Sequence, residues 1–167
     1  HIDEFDRIVS KVHNLCPKAK MGVIHGKMTN EAIEDELVSF LGKEYDVLVL
    51  GTSTWGAGEL QDDWYDGIKV LKKADLSHKF VALFGCGDSD SYSDTFCDGI
   101  GILYEELKDT HCTFCGATDP SGYTFDSSVA VINGKFVGLP LDEVNEDGKI
   151  DERIAQWTEA LKKECIN

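Results

Sequence analysis

The run Val47-Leu48-Val49-Leu50-Gly51-Thr52-Ser53-Thr54-Trp55-Gly56-Ala57-Gly58 decides the fold. Its first four residues are apolar without alternation, the pattern of a parallel strand buried on both faces. A loop of small residues follows, which lets backbone groups approach a ligand closely and leaves Trp55 at the loop tip. The pattern recurs in Phe80-Val81-Ala82-Leu83-Phe84, a second continuous apolar strand that runs into Gly85-Cys86-Gly87-Asp88-Ser89-Asp90-Ser91-Tyr92. In an open parallel sheet, ligands bind outside the carboxyl ends of the strands, where strand order reverses. Two aromatic rings on adjacent strand ends can clamp a flat heterocycle, each stack contributing on the order of 1 kcal/mol beyond area burial.

Helices and strands alternate around these two segments. Phe5, Ile8, Val9, Val12 and Leu15 fall at helical spacing and predict a helix over 4–15, with Asp3 as N-cap and Pro17 beyond its end. Met21-Gly22-Val23-Ile24 reads as a strand. Thr29 or Asn30 caps a helix that turns Ile33, Leu37, Phe40 and Leu41 inward. Helices are expected over 60–73, about 94–107 and 151–163, with a short strand at 112–115. Asn133-Gly134 sets a hairpin between 129–132 and 135–138. Such alternation implies right-handed crossovers and a three-layer α/β architecture with a doubly wound parallel sheet.

The 167 residues carry 31 Asp plus Glu against 16 Lys plus Arg, a net charge of −15. That field repels DNA, RNA and anionic membrane surfaces, so basic proteins and compact cofactors are the expected partners. No stretch approaches the roughly 20 apolar residues of a membrane span, and His1 to Asp6 has no signal-peptide character, so the chain reads as cytoplasmic. Six scattered cysteines in a chain able to bury a core are read as reduced thiols. The odd spacing of Cys112 and Cys115 sends the two thiols to opposite faces of a strand, which argues against a metal or redox pair. Trp64, Phe84, Phe96 and Trp157 are read as core, the acids of the second loop as a solvated rim, and His25-Gly26 as loop filler. No catalytic constellation is evident, so no enzyme is expected.

The two loops carry a family resemblance. Thr52-Ser53-Thr54-Trp55-Gly56, Leu60-Gln61-Asp62-Asp63-Trp64, Leu83-Phe84-Gly85-Cys86-Gly87-Asp88, Tyr92 and Phe96 resemble the long-chain flavodoxins. So do the insertion that splits the last strand, Gly122-Tyr123-Thr124-Phe125 through Gly134-Lys135-Phe136-Val137-Gly138-Leu139-Pro140-Leu141-Asp142, and the ending Asp151 to Trp157. The likeness runs from about residue 46 to residue 167. It implies strand order 2-1-3-4-5, for which flavodoxins are themselves a standard example, and a flavin mononucleotide (FMN) site serving single-electron transfer. Trp55 would cover one face of the isoalloxazine and Tyr92 the other. Thr54 and Gly56 would meet its polar edge by backbone groups, and Gly87 and Asp88 would hold the pyrimidine end. Glu59, Asp62, Asp63, Asp88, Asp90 and Asp94 would oppose a further negative charge on the ring and depress its potential. Basic redox proteins would be the docking partners.

The phosphate loop of that family, Thr-x-Thr-Gly-x-Thr, does not occur in these residues, and no first strand is evident ahead of the first helix. A weakened hold on FMN follows. Residues 1 to about 50 resemble instead the second motor lobe of transcription-repair coupling factors and related helicases, through Leu15-Cys16-Pro17-Lys18-Ala19-Lys20, Val23-Ile24-His25-Gly26-Lys27-Met28-Thr29 and Asp46-Val47-Leu48-Val49. The charge divides near the same place, −2 over residues 1–45 and −13 over residues 46–167. The joint implies an engineered chimera within a single flavodoxin-like domain over 1–167, helicase-like over 1–45 and flavodoxin-like over 46–167. Two functional expectations result: an FMN-binding electron carrier with weakened affinity, and a folded scaffold without cofactor or activity. A vacant sheet position between 21–24 and 47–50 would leave backbone groups unpaired, so an edge-paired homodimer stands beside the monomer.

Overall fold

The computed structural model describes residues 2–15, 21–25, 28–42, 46–55, 58–60 and 63–166. The elements in chain order are α1 (Ile2–Leu15), β1 (Met21–His25), α2 (Asn30–Gly42), β2 (Val47–Trp55), β3 (Glu59–Leu60), α3 (Asp63–Lys72) and β4 (Phe80–Cys86). They continue with α4 (Asp98–Leu107), β5 (Thr113–Cys115), β6 (Val131–Ile132), β7 (Lys135–Phe136), β8 (Leu139–Leu141), α5 (Glu143–Glu146) and α6 (Ile150–Glu164).

The parallel sheet is laid down in the order β1-β2-β4, and one last position is shared by two short strands. There β5 pairs with Phe80–Ala82, and β8 pairs with Phe84–Cys86. This is the split final strand expected from the insertion. Each right-handed crossover moves one position in the same direction, which puts α2, α3 and α4 on one face. The period of two in the strands supplies both cores. Leu48, Leu50, Val81 and Leu83 pack with Ile33, Phe40, Trp64, Ile68, Ile100 and Leu103 on that face. Val47, Val49, Ala82 and Phe84 pack with Ile8 and Val12 of α1 and Ile150, Ile154, Trp157 and Leu161 of α6 on the other. Fully burying each such aliphatic or aromatic side chain stabilises the fold by about 1.5–3 kcal/mol.

The vacant position expected between 21–24 and 47–50 is not found. β1 pairs directly with β2 over five residues, from Met21 opposite Val47 to His25 opposite Gly51. The order 2-1-3-4-5 is thus not realised among the described residues; the strands lie side by side in chain order. A gap would strip the ladder partners from two strands at once, and direct pairing removes that cost.

Local boundaries follow local chemistry. The Thr29 hydroxyl accepts the Ala32 N–H at 3.1 Å, which makes Thr29 the cap of α2. The helix expected over 94–107 is interrupted: a short 3₁₀ turn covers Ser93–Thr95, and α4 starts at Asp98 because Cys97 takes a left-handed conformation, φ 53°. The hairpin is shorter than expected, two residues a side, and its turn has φ 54° at Asn133 and 82° at Gly134, as a two-residue primed turn requires. The insertion is fastened by an aromatic group in which Phe96 meets Tyr123, Phe125 and Phe136 at centroid distances of 6.1, 5.6 and 6.2 Å. Arg153 of α6 stacks 3.7 Å from the Tyr123 ring and bonds Glu146 at 2.7 Å.

The expected opposite-face placement is found: Cys112 packs on the α3–α4 side of the sheet and Cys115 on the α6 side. The five described cysteines are free thiols, with Cys115 Sγ 3.0 Å from Cys165 Sγ; Cys16 lies outside the described residues. Trp64, Phe84, Phe96 and Trp157 are all buried as expected. Trp64 also donates its indole N–H to the carbonyl of Gly51, in the middle of β2, at 2.9 Å. Trp64→Phe removes a buried bond and leaves that oxygen without its donor. Urea unfolding should show a loss of about 1–3 kcal/mol, whereas an unchanged midpoint would mean the bond adds nothing to stability.

Candidate functional site

The carboxyl ends of β2, β4 and β8 lie next to one another, Ser53 opposite Cys86 and Cys86 opposite Leu141, so the loops leaving them converge. After Thr54 the first loop turns back at once, because β3 pairs antiparallel with β2 through Thr54–Leu60 and Trp55–Glu59. Thr54 itself is tied down: its hydroxyl accepts the Gly99 N–H of α4 at 2.8 Å. That bond ties the end of β2 to the first turn of α4. The Trp55 backbone belongs to β2, but its side chain lies outside the described residues, as do Gly56, Ala57, Gln61 and Asp62.

Gly58 closes the turn at φ 93°, and a Cβ there would stand 2.7 Å from Asp98 Oδ2. Asp98 is a residue that sequence reasoning missed. It is buried at the start of α4, and its Oδ1 accepts the Val129 N–H at 2.9 Å. Burial pushes its carboxyl up, outweighing the bond from Val129. An acid at the first turn of an apolar helix was the available signal, but the expected helix start at Asp94 obscured it.

The second loop is built on Asp88. Its Oδ1 accepts the N–H of Asp90 at 3.2 Å, the N–H of Ser91 at 3.0 Å and the side-chain amide of Asn145 at 2.9 Å. Those bonds, the Ser91 N–H first among them, hold its carboxyl below the usual carboxylate range. Gly87 N–H donates to the Leu141 carbonyl at 2.9 Å, and a Cβ on Gly87 would meet Cys97 Sγ at 2.8 Å. Tyr92 N–H donates to the Asp88 carbonyl at 2.9 Å, and the Tyr92 residue is 49% exposed, free to present a ring face. Thr54, Gly87, Asp88 and Tyr92 therefore gather on loops at the same sheet end, with Asp90 and Asp94 exposed beside them.

Two further residues, outside the expected site set, complete the loop. Asp142 is fully buried, and its Oδ2 accepts both the N–H of Ser89 at 3.1 Å and the Ser89 hydroxyl at 2.5 Å. Asn145 adds its backbone N–H to Asp142 Oδ1 at 3.0 Å. Burial pushes the Asp142 carboxyl up, but the bonds from Ser89 and Asn145 win and bring it below its ordinary value. Among the described residues no group of three or more His, Cys, Asp or Glu is arranged to hold a metal ion, and no helix is long and apolar enough to cross a membrane.

A doubly covered parallel sheet with two Gly-framed, acid-rimmed loops at its carboxyl end is a cofactor-carrying α/β architecture. Comparison with known proteins gives the family. The flavodoxin family model matches residues 22–157, and the chain belongs to the flavodoxin family. Flavodoxin 1 of Azotobacter vinelandii is 43% identical over 137 residues, 80% of this chain and 79% of that protein. The flavodoxin of Helicobacter pylori is 45% identical over 115 residues, 69% of each chain. The crystal structure of Fusobacterium nucleatum flavodoxin bound to flavin mononucleotide superposes with a TM-score of 0.73 at 30% identity, covering 87% of this chain and 98% of that one. The family match begins at residue 22 and so spans residues 46–50, where the sequence reading placed a joint between two families.

Asp88 and Asp142 titrate lower in the folded chain than in the unfolded one. Their stabilisation is present above about pH 4, the ordinary carboxylate value, and is lost as the pH falls through their lower folded values. Asp142→Asn should be less stable than the unsubstituted chain at pH 7 by about 1–3 kcal/mol. The gap should narrow as the pH is lowered below about 4 in urea titrations; a gap constant with pH would contradict the assignment.

Proposed function

We propose that this protein binds FMN at the carboxyl end of its sheet and carries single electrons, as an electron-transfer protein rather than an enzyme. The observation that carries the reading is the pair of converging loops. One has a glycine, Gly58, that a side chain could not replace without meeting Asp98; the other has the exposed Tyr92, whose backbone N–H closes on the Asp88 carbonyl. Trp55 and Tyr92 stack on the two faces of the isoalloxazine, backbone groups of Thr54 and Gly56 meet its polar edge, and Gly87 and Asp88 hold its pyrimidine end. The bound flavin supplies one-electron chemistry. The chain's own part is to orient the ring, to exclude water with two aromatic faces, and to surround it with acids. Asp88, Asp90, Asp94 and Glu59 raise the free energy of adding negative charge nearby, which favours a low potential.

The same acids suit docking on basic redox proteins, and the net charge of −15 disfavours nucleic acid and anionic membrane. One flavodoxin unit over the whole chain is preferred to a chimera, since the family match starts well ahead of residue 46. A monomer is preferred to an edge-paired dimer because β1 and β2 pair within the chain. Free thiols at all five described cysteines agree with a reducing, cytoplasmic setting.

With no Thr-x-Thr-Gly-x-Thr segment in these 167 residues, the ring loops carry the recognition. Titration of the chain with FMN and with riboflavin should quench both fluorophores with affinities within a few-fold of each other. Trp55→Ala and Tyr92→Ala should each weaken binding about fivefold, the equivalent of ~1 kcal/mol. Absence of quenching by either flavin would favour the cofactor-free scaffold, and FMN binding a hundredfold tighter than riboflavin would require a phosphate site elsewhere in the chain.

A further inference from the structure

The segment 87–92, proposed above to face the flavin, is held by hydrogen bonds to residues outside it, Leu141, Asp142 and Asn145. Asn145 stands on the one-turn helix α5, just after the strand that ends the insertion. Its side-chain nitrogen lies 2.9 Å from Asp88 Oδ1 and 3.2 and 3.0 Å from the two oxygens of Asp142. One neutral amide thus separates two carboxylates whose oxygens crowd the same nitrogen. Its two protons satisfy one carboxylate each, the second shared between the Asp142 oxygens.

Each carboxylate in turn fixes a different part of the loop. Asp88 gathers the N–H groups of Asp90 and Ser91 into a turn that delivers Tyr92. Asp142 gathers the N–H and hydroxyl of Ser89. Without the amide, Asp88 and Asp142 would repel across the gap, and the Asp88 side chain would be free to swing to water and release the turn. We propose that Asn145 is a positioning residue for the flavin-ring loop, acting through Asp88 and Asp142, so that the segment following the strand-splitting insertion sets the geometry of the pyrimidine-end contact. The inference rests on the FMN reading above, and its test separates the two.

Asn145→Leu keeps the volume and the backbone N–H that bonds Asp142 but removes the amide protons. Ile8→Val, on the core face of α1 and far along the chain from the loop, serves as a variant that lowers stability without touching the loop. In Asn145→Leu, riboflavin and FMN should both bind about tenfold more weakly, by the same factor, since the lost contact lies at the ring end. The amides of Ser89 and Ser91 should exchange with solvent deuterium at least tenfold faster than in the unsubstituted chain, while Ile8→Val changes neither readout. If Asn145→Leu does not fold, Ser89→Ala loosens the Asp142 strut from the other side and should lower flavin affinity a few-fold. Unchanged affinity and unchanged exchange at Ser89 and Ser91 would overturn the proposal. Failure of the unsubstituted chain to bind any flavin would overturn the FMN reading alone, because the exchange measurement still tests whether Asn145 holds the loop.

Discussion

The parallel ladder between β2 and β4 is the interaction on which everything else hangs. Six residue pairs, from Leu48 opposite Val81 to Ser53 opposite Cys86, lock two strands that have no solvent-facing side. Alternate side chains then commit to opposite layers. Leu48, Leu50, Val81 and Leu83 require helices on one face, and Val47, Val49, Ala82 and Phe84 require them on the other. A register slip of one residue would exchange the two sets and leave both cores misfitted. The approach of the strands is close enough that a Cβ on Gly51 would stand 2.1 Å from the tip of the Phe84 ring, so glycine is demanded there by packing.

The same ladder places the site. Because β2 and β4 end in register, the Thr54 and Gly87 loops must leave the sheet side by side, and each is tied back to a neighbour. Thr54 is held by the first turn of α4, and Gly87 by the end of β8. The acids at this end fall into two classes. Asp88 and Asp142 are organised by N–H and amide donors that lower their carboxyls. Asp98 is held in a drier place, where burial raises its carboxyl. The loops at this end thus present a shaped, negatively charged surface.

The insertion between β5 and β8 is more than a covering. It leaves the last sheet position to two three-residue strands and packs Tyr123, Phe125 and Phe136 around Phe96 at the far end of the second loop. Arg153 stacked on Tyr123 and paired with Glu146 joins that cluster to α6 and α5. The loop that would touch the flavin is therefore supported from both sides, by aromatic packing at Phe96 and by the amide of Asn145 at Asp88.

Much of this was legible in the chain itself. Unbroken apolar runs at 47–50 and 80–84 specify doubly buried parallel strands, the Asn133-Gly134 pair specifies a primed turn, and the odd spacing of Cys112 and Cys115 places them on opposite faces. Each of these is a local property, written in neighbouring residues. The loop residues Thr54, Gly87, Asp88 and Tyr92 were also visible, as small and aromatic residues after strands. Three features needed the tertiary structure. Cys97 takes a left-handed conformation that delays α4 by four residues from the expected Asp94, a consequence of how the second loop must enter the helix. β1 closes directly onto β2, since ladder pairing forbids the gap that sequence order alone suggested. Asp88, Asp98 and Asp142 each have a partner distant in the chain, 57, 31 and 53 residues away. Sequence by itself determined which segments form the sheet and which small, acidic and aromatic residues stand on the loops at its carboxyl end. The folded chain decided which carboxylates are bonded, buried or free, because hydrogen bonds of such long separation exist only once the strands have aligned.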